Sequence, residues 1–298
     1  MPWYIFALGT PIFYSFSTFI DKFLIEKKIK NPLVLTALAN TVAGILGIFL
    51  GLIVGFKNIG LAQTSLIIFA GILLTFYLIP YYKAIKIEDI SRATPLFQFV
   101  PVFTLIISSI FLKETLNNKQ IFGLILVVIA GVLMSTDKFE GGIFKLRKSL
   151  WFMILSSLMY GLVCILFRFV VKDIDFWLTL SYEYIGSGIG GLLLFLSPQI
   201  RKSFKKDFSA IKISAGIIAF NNGVAMLAHV CESYALSLMI VPLVNIVSGL
   251  QPMITLVFGV ILTIWFPHLI KEDISKKTLL HKSVFILLMF IGLYFVYL

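Results

Sequence analysis

Residues 82–116 read YKAIKIEDISRATPLFQFVPVFTLIISSIFLKETL. From Ser91 to Leu112 the only charge is Arg92, near the start, and Lys113-Glu114 closes the run. A helix needs about 20 apolar residues to cross the hydrocarbon core, and this run has that length. A membrane β-strand would alternate along about ten residues. Here the apolar residues cover every face, so the run reads as a spanning helix. Pro95 and Pro101 interrupt it, with Gln98 between them.

Runs of the same kind fill the chain. Ten segments qualify: 3–24, 32–55, 64–84, 91–112, 120–136, 149–170, 176–197, 211–235, 241–266 and 283–298. The composition agrees, with 59% hydrophobic residues, 13% charged and mean hydropathy +1.02 over 298 residues. Soluble domains hold about 45–50% apolar and about 25% charged residues. The expected fold class is therefore all-α integral membrane with ten transmembrane helices. The first run has neither a basic leader nor a small-x-small cleavage site, so it reads as a permanent span.

The net charge is +11, but the basic residues sit in short gaps between apolar runs. That placement fits membrane orientation and anionic headgroups rather than nucleic acid. Of the 25 Lys and Arg, 20 fall in odd-numbered connections and 5 in even-numbered ones. The positive-inside rule then puts the odd side in the cytoplasm and both termini outside. Cys164 and Cys231 lie inside apolar runs without a CxxC, which reads as two packed thiols rather than a disulfide or metal site.

The chain halves near residue 149. A shift of 151 lays Ala84 on Ala235, Pro101 on Pro252, Thr104 on Thr255, Leu105 on Leu256 and Ile110 on Ile261. A shift of 146 lays Tyr14 on Tyr160, Lys22 on Arg168 and Phe23 on Phe169. A shift of 144 lays Gly44 on Gly188 and Gly47 on Gly191, and one of 161 lays Gly131 on Gly292. These matches keep chain order and divide the protein into repeats 1–136 and 149–298, joined by a loop at 137–148. Five spans per repeat is an odd number, so the second repeat enters from the opposite side. Inverted repeats of this kind are a transporter plan, with the substrate site near the midplane.

The opening stretch resembles the end of the EamA domain in the drug/metabolite transporter superfamily. The shared features are a small residue after the third span (Ala84), a PLF-x-x-x-P fourth span (Pro95-Leu96-Phe97 and Pro101) and a glutamate just after it (Glu114). Gly123 and Ala130-Gly131-Val132 resemble the family's fifth span, and Ile20-Asp21-Lys22-Phe23 resembles one EamA subgroup. The second half is similar more loosely: Pro252 is kept and nothing matches Glu114 cleanly. The resemblance implies a ten-helix transporter moving small metabolites by alternating access, often outward. Amino acids, nucleotide sugars, triose phosphates and drugs are substrates across the superfamily. It also implies cytoplasmic termini, the reverse of the charge count.

The eighth segment carries a polar stripe. Ser214, Asn221, Asn222, Ala225, His229 and Glu232 fall within an arc of about 100° on one helix. Polar groups in hydrocarbon should face the bundle interior or a water-filled cavity. Asn221 and Asn222 read as hydrogen-bond partners of a solute, and Glu232 as a partner for a cationic group or a coupling proton. His229 reads as either a packing residue or part of the same face. Glu183, well inside the seventh segment, needs a partner, and Arg168 on the same membrane side is the expected one. It would act in coupling or gating, or as a structural pair. Gln98, Asn245 and Gln251 lie beside prolines in the fourth and ninth segments, where a freed backbone carbonyl and an amide can hold a polar solute. Tyr14 and Tyr160 are repeat-equivalent candidates. Gly47-x3-Gly51-x3-Gly55 and Gly186-x3-Gly190 read as close packing within one chain, with dimerisation as the alternative. Asp21-Lys22, Glu88-Asp89 and Lys113-Glu114 read as headgroup-level charges or helix-end pairs.

The sequence has no HExxH and no GxxxxGK[ST], and lone serines without a base are not nucleophiles. No catalytic residue, cofactor or metal is expected. The reading is a gradient-driven transporter or exporter of small metabolites such as amino acids, multi-pass in the plasma membrane, as a monomer or homodimer. The alternatives are a flippase for a lipid-linked substrate, with a cavity open to lipid, and a non-transporting scaffold or sensor with a filled core.

Overall fold

The computed structural model describes residues 2–29, 31–87, 94–134, 148–265 and 276–297. The expected loop 137–148 (apart from Lys148) and the Glu88-Asp89 pair lie outside them. The described residues are helical, with no strand among them. In chain order the helices are α1 (Trp3–Lys27), α2 (Pro32–Val54), α3 (Leu61–Phe76) and α4 (Leu78–Ile87). A 3-10 turn (Thr94–Gln98) leads into α5 (Phe99–Phe111), followed by α6 (Asn118–Met134). Then come α7 (Lys148–Val171), α8 (Phe176–Phe195), α9 (Pro198–Ile213) and α10 (Ala215–Leu238). The last three are α11 (Val241–Ser248), α12 (Gln251–Trp265) and α13 (Lys276–Tyr297).

Among the described residues, five helical stretches are long and apolar enough to cross a membrane: Trp3–Ile25, Pro32–Val54, Leu61–Ala84, Ser149–Val171 and Val241–Trp265. The bent pair α9–α10 makes a sixth if taken as one span, and Leu96–Phe111, Asn118–Ala130 and Ser283–Val296 are shorter apolar helices. Local chemistry sets several starts. Asn31 accepts from Leu33 N–H at 3.1 Å, with Pro32 in the first turn. Asp175 accepts from Leu178 N–H at 3.0 Å. Each oxygen satisfies a donor that the helix itself leaves open.

The expected eighth segment, 211–235, starts late. The chain turns by 93° at Ser214, and α9 is a separate helix. Arg201, Lys202, Lys205 and Lys206 face out, while Ile200, Phe204 and Ile211 pack near Val34, Ala37 and Leu194. That division of faces suits a helix lying along the membrane boundary.

Glycines set the closest approaches. Gly44 meets the Gly188 Cα, Gly47 lies against Tyr184 and Ser181, and Gly191 against Ala37 and Thr41. Gly71 meets the Glu183 carbonyl and Gly186 the Ile68 backbone. Gly47 and Gly51 of α2 and Gly186 and Gly190 of α8 thus serve packing within the chain, whereas Gly55 meets nothing within 4 Å and instead ends α2 at φ 84°. The helix α8 is gripped between α2 and α3, α1 runs along α10, and α6 pairs with α13. Large apolar side chains such as Phe49, Leu52, Ile110 and Trp265 face outward. Cys164 is buried, Cys231 half-buried, and both are free thiols.

Candidate functional site

The fourth and ninth segments are both broken beside their prolines. The first changes from a 3-10 turn to α5 at Gln98, three residues before Pro101. The second breaks between α11 and α12 at Gly249, ahead of Pro252. At the second break, Met253 N–H bonds Leu250 O at 3.0 Å rather than Gly249 O. Gln98 Nε2 donates to that freed Gly249 carbonyl. The amide of one break thus serves the carbonyl of the other. Ser15 bonds the neighbouring Gln251 carbonyl at 3.2 Å and accepts from Thr255 at 3.0 Å.

Beside this junction lies a cavity of about 240 Å³, walled by α1, α2, α3, α4, α7, α8, α10 and the two broken helices. It brings together Asn221, Asn222, Glu232, Gln98, Asn245, Gln251, His229, Tyr14 and Tyr160. The polar stripe of α10 faces inward, with Asn221, His229 and Glu232 buried. Tyr160 O–H donates to Glu232 Oε2. Cys164 Sγ donates to Asn245 Oδ1 at 3.8 Å. Buried side-chain atoms around the cavity without a hydrogen-bond partner in the protein include Gln98 Oε1, Asn221 Oδ1, His229 Nδ1, Tyr184 OH and Asn245 Nδ2. Buried polar atoms are otherwise nearly always paired.

The expected pairing of Glu183 with Arg168 is not formed. Glu183 Oε2 lies 2.8 Å from His229 Nε2, fully buried, and its Oε1 has no partner. Arg168 instead faces Glu114, at 3.1 Å, and donates to the Leu236 and Ser237 carbonyls at 2.8 Å each. Glu114 also meets Lys172 at 3.0 Å and accepts from Val241 N–H at 3.0 Å, capping α11. Lys113, with φ 55°, takes the left-handed conformation that turns the chain there. Neither charge of the expected pair lines the cavity. Arg168 lies two turns beyond Tyr160 on α7, and Glu183 sits behind His229.

Because His229 Nε2 is the hydrogen-bond partner of the Glu183 carboxyl, His229→Leu should cost about 2–3 kcal/mol by leaving that carboxyl unpaired. Adding Glu183→Gln should recover part of the loss. Thermal unfolding of both variants in detergent reads this, and equal losses would mean the two side chains are uncoupled.

Other cavity residues were not singled out from the sequence. Asp21, read as a headgroup-level charge, lines the cavity and accepts from Asn221 Nδ2 at 2.7 Å. The helix α1 continues to Lys27 and carries Asp21 inside the protein. Tyr77, Tyr81, Tyr82, Tyr184 and Phe97 also line it. The i, i+4, i+5 spacing of the first three was the available signal.

Comparison with known proteins bears on this architecture. A solved crystal structure at 14% identity superposes over 98% of both chains with a TM-score of 0.64, and shares the fold alone. The uncharacterized protein MJ1333.1 of Methanocaldococcus jannaschii is 32% identical over 136 residues, which is 44% of this chain and 94% of that one. Residues 1–136 match the model of the EamA-like transporter family. With its apolar spanning helices, the protein is a multi-pass membrane protein of the EamA-like transporter family, in the drug/metabolite transporter superfamily.

Proposed function

We propose that this transporter is gradient-driven and moves small metabolites, such as amino acids, across the plasma membrane by alternating access. Its two inverted five-helix repeats, 1–136 and 149–298, would rock about the central cavity. The observation that carries this reading is the cavity itself, which holds unpaired polar atoms where the two broken helices meet. A scaffold would have that stripe satisfied by neighbouring helices. Two contacts support the repeat. Gly44 touches Gly188, and Gln98 bonds Gly249. Both join positions related by the repeat shifts of 144 and 151, as residues near a two-fold axis would be. A relative matched over 94% of its length by less than half of this chain points the same way.

The test is thermal stabilisation and proteoliposome flux of the full chain. A ligand at 100 times its dissociation constant should raise stability by about 2.7 kcal/mol. Asn222→Ala, which alters the half-buried amide on the cavity wall, should remove most of that gain and slow flux. Binding and flux that survive Asn222→Ala, Glu232→Gln and Gln98→Ala alike would move transport away from this cavity. Orientation is a separate prediction. By the charge count, a tag placed before Trp3 should be accessible from outside intact cells, and a cysteine at Lys205 should be protected. The reverse pattern would support cytoplasmic termini.

A further inference from the structure

The charge lining the cavity is opposite to that of the chain. The protein carries +11 overall. Yet no lysine or arginine lines the cavity among the described residues, whereas Asp21 and Glu232 both do. Their protein partners are neutral: the Asn221 amide for Asp21 and the Tyr160 hydroxyl for Glu232. The lining group that can carry positive charge, His229, is engaged by Glu183, a third carboxyl directly behind the wall. Carboxylates inside a membrane domain are costly unless a cation or a proton reaches them.

A cluster of aromatic rings forms one part of the wall. Tyr160 lies 4.9 Å from Tyr77 and 5.4 Å from Phe97, centroid to centroid, and Tyr81 lies 6.1 Å from Phe97. These four rings line the same cavity as the two carboxylates. Aromatic faces attract a cation within about 6 Å of their centroids, and groups of them recognise ammonium ligands. A phosphorylated sugar would bring its negative charge against Asp21 and Glu232 with no cation to meet it.

We propose that the solute is a small organic ammonium ion, held by the Glu232 carboxylate and the Tyr77–Phe97–Tyr160 rings. This rests on the transporter reading above and names its substrate class. Glu232 supplies the charge at this end of the cavity and the rings supply cation–π contact, while Asp21, bonded to Asn221 eleven residues before Glu232 on α10, keeps the other end negative.

The experiment compares solutes of matched shape on the purified full chain. Choline, tetramethylammonium and putrescine are set against 3,3-dimethylbutan-1-ol, which is the neutral isostere of choline, and against alanine and glucose 6-phosphate. Thermal stabilisation in detergent and flux into proteoliposomes are both read. At least one cation should bind at least tenfold more tightly than the neutral and anionic solutes. Glu232→Gln should weaken it about tenfold, equivalent to about 1.4 kcal/mol, and Asp21→Asn by less. The comparison of choline with its isostere needs no variant, so it stands even if a variant fails to fold. Equal binding of choline and its isostere overturns the inference. Stabilisation and flux of alanine or glucose 6-phosphate without any cation also overturn it, while the transporter reading survives. Absence of binding and flux for every solute overturns both.

Discussion

Replacing Glu114 by alanine will destabilise the folded protein by about 3–5 kcal/mol, the usual cost of leaving a buried ion without its partner. The carboxylate is buried and faces Arg168 and Lys172 while capping α11 through Val241 N–H. Its loss leaves Arg168, only 13% exposed in its side chain, with two carbonyls and no counter-charge. Thermal unfolding in detergent measures the effect. The double variant Glu114→Gln with Arg168→Gln should lie nearer the wild type than Glu114→Ala alone. Equal losses would show that the pair contributes nothing beyond the cap. The same cluster joins the ends of α5, α7, α10 and α11 just beyond one end of the cavity. In a transporter that alternates, it should open in the other state. A Glu114→Gln protein that still folds should therefore change the ratio of inward to outward flux.

Placing leucine at Gly186 will have the largest effect of any single change considered, abolishing a well-folded product. A Cβ there meets the Ile68 backbone, and the equivalent atom at Gly71 meets the Glu183 carbonyl. Overpacking costs about 1–3 kcal/mol where side chains can shift, and here backbone would have to move. Separation of α3 from α8 would also displace Glu183 from His229. Gly223→Ala is the control, because an added methyl at Gly223 meets nothing within 4 Å. In its helix that change should be neutral or stabilising by about 0.4–1 kcal/mol. Monodispersity and unfolding temperature in detergent distinguish the two. A well-behaved Gly186→Leu protein would mean that the α3–α8 seam is looser than described.

The sequence disclosed helical class and membrane character because both follow from composition and run length. It disclosed the α10 stripe because periodicity within one helix requires no tertiary knowledge. It failed where two helices had to be placed against each other. Glu183 and Arg168 share a membrane side, yet depth says nothing about which way a helix is turned. Glu183 faces α10 and His229, while Arg168 faces the end of α5 and Glu114. Asp21 was misread for a related reason. The apolar run stops near Phe23-Leu24, whereas hydrogen bonding carries α1 on to Lys27. The turn at Ser214 has no proline or glycine at the corner. Only the change from the charged, two-faced 198–213 segment to an apolar run marked it.

The contact of Gln98 with Gly249 reaches further than the site. Each partner lies in a different half, and each brings a polar group into the membrane domain. A half expressed alone would carry one broken helix whose backbone defect has no remedy within that half. The two pieces should therefore behave as obligate complements: unstable when made singly, recovered when made together. Assembly in the membrane then resembles dimerisation between two portions of a single chain, and its final step is the meeting of the two broken helices.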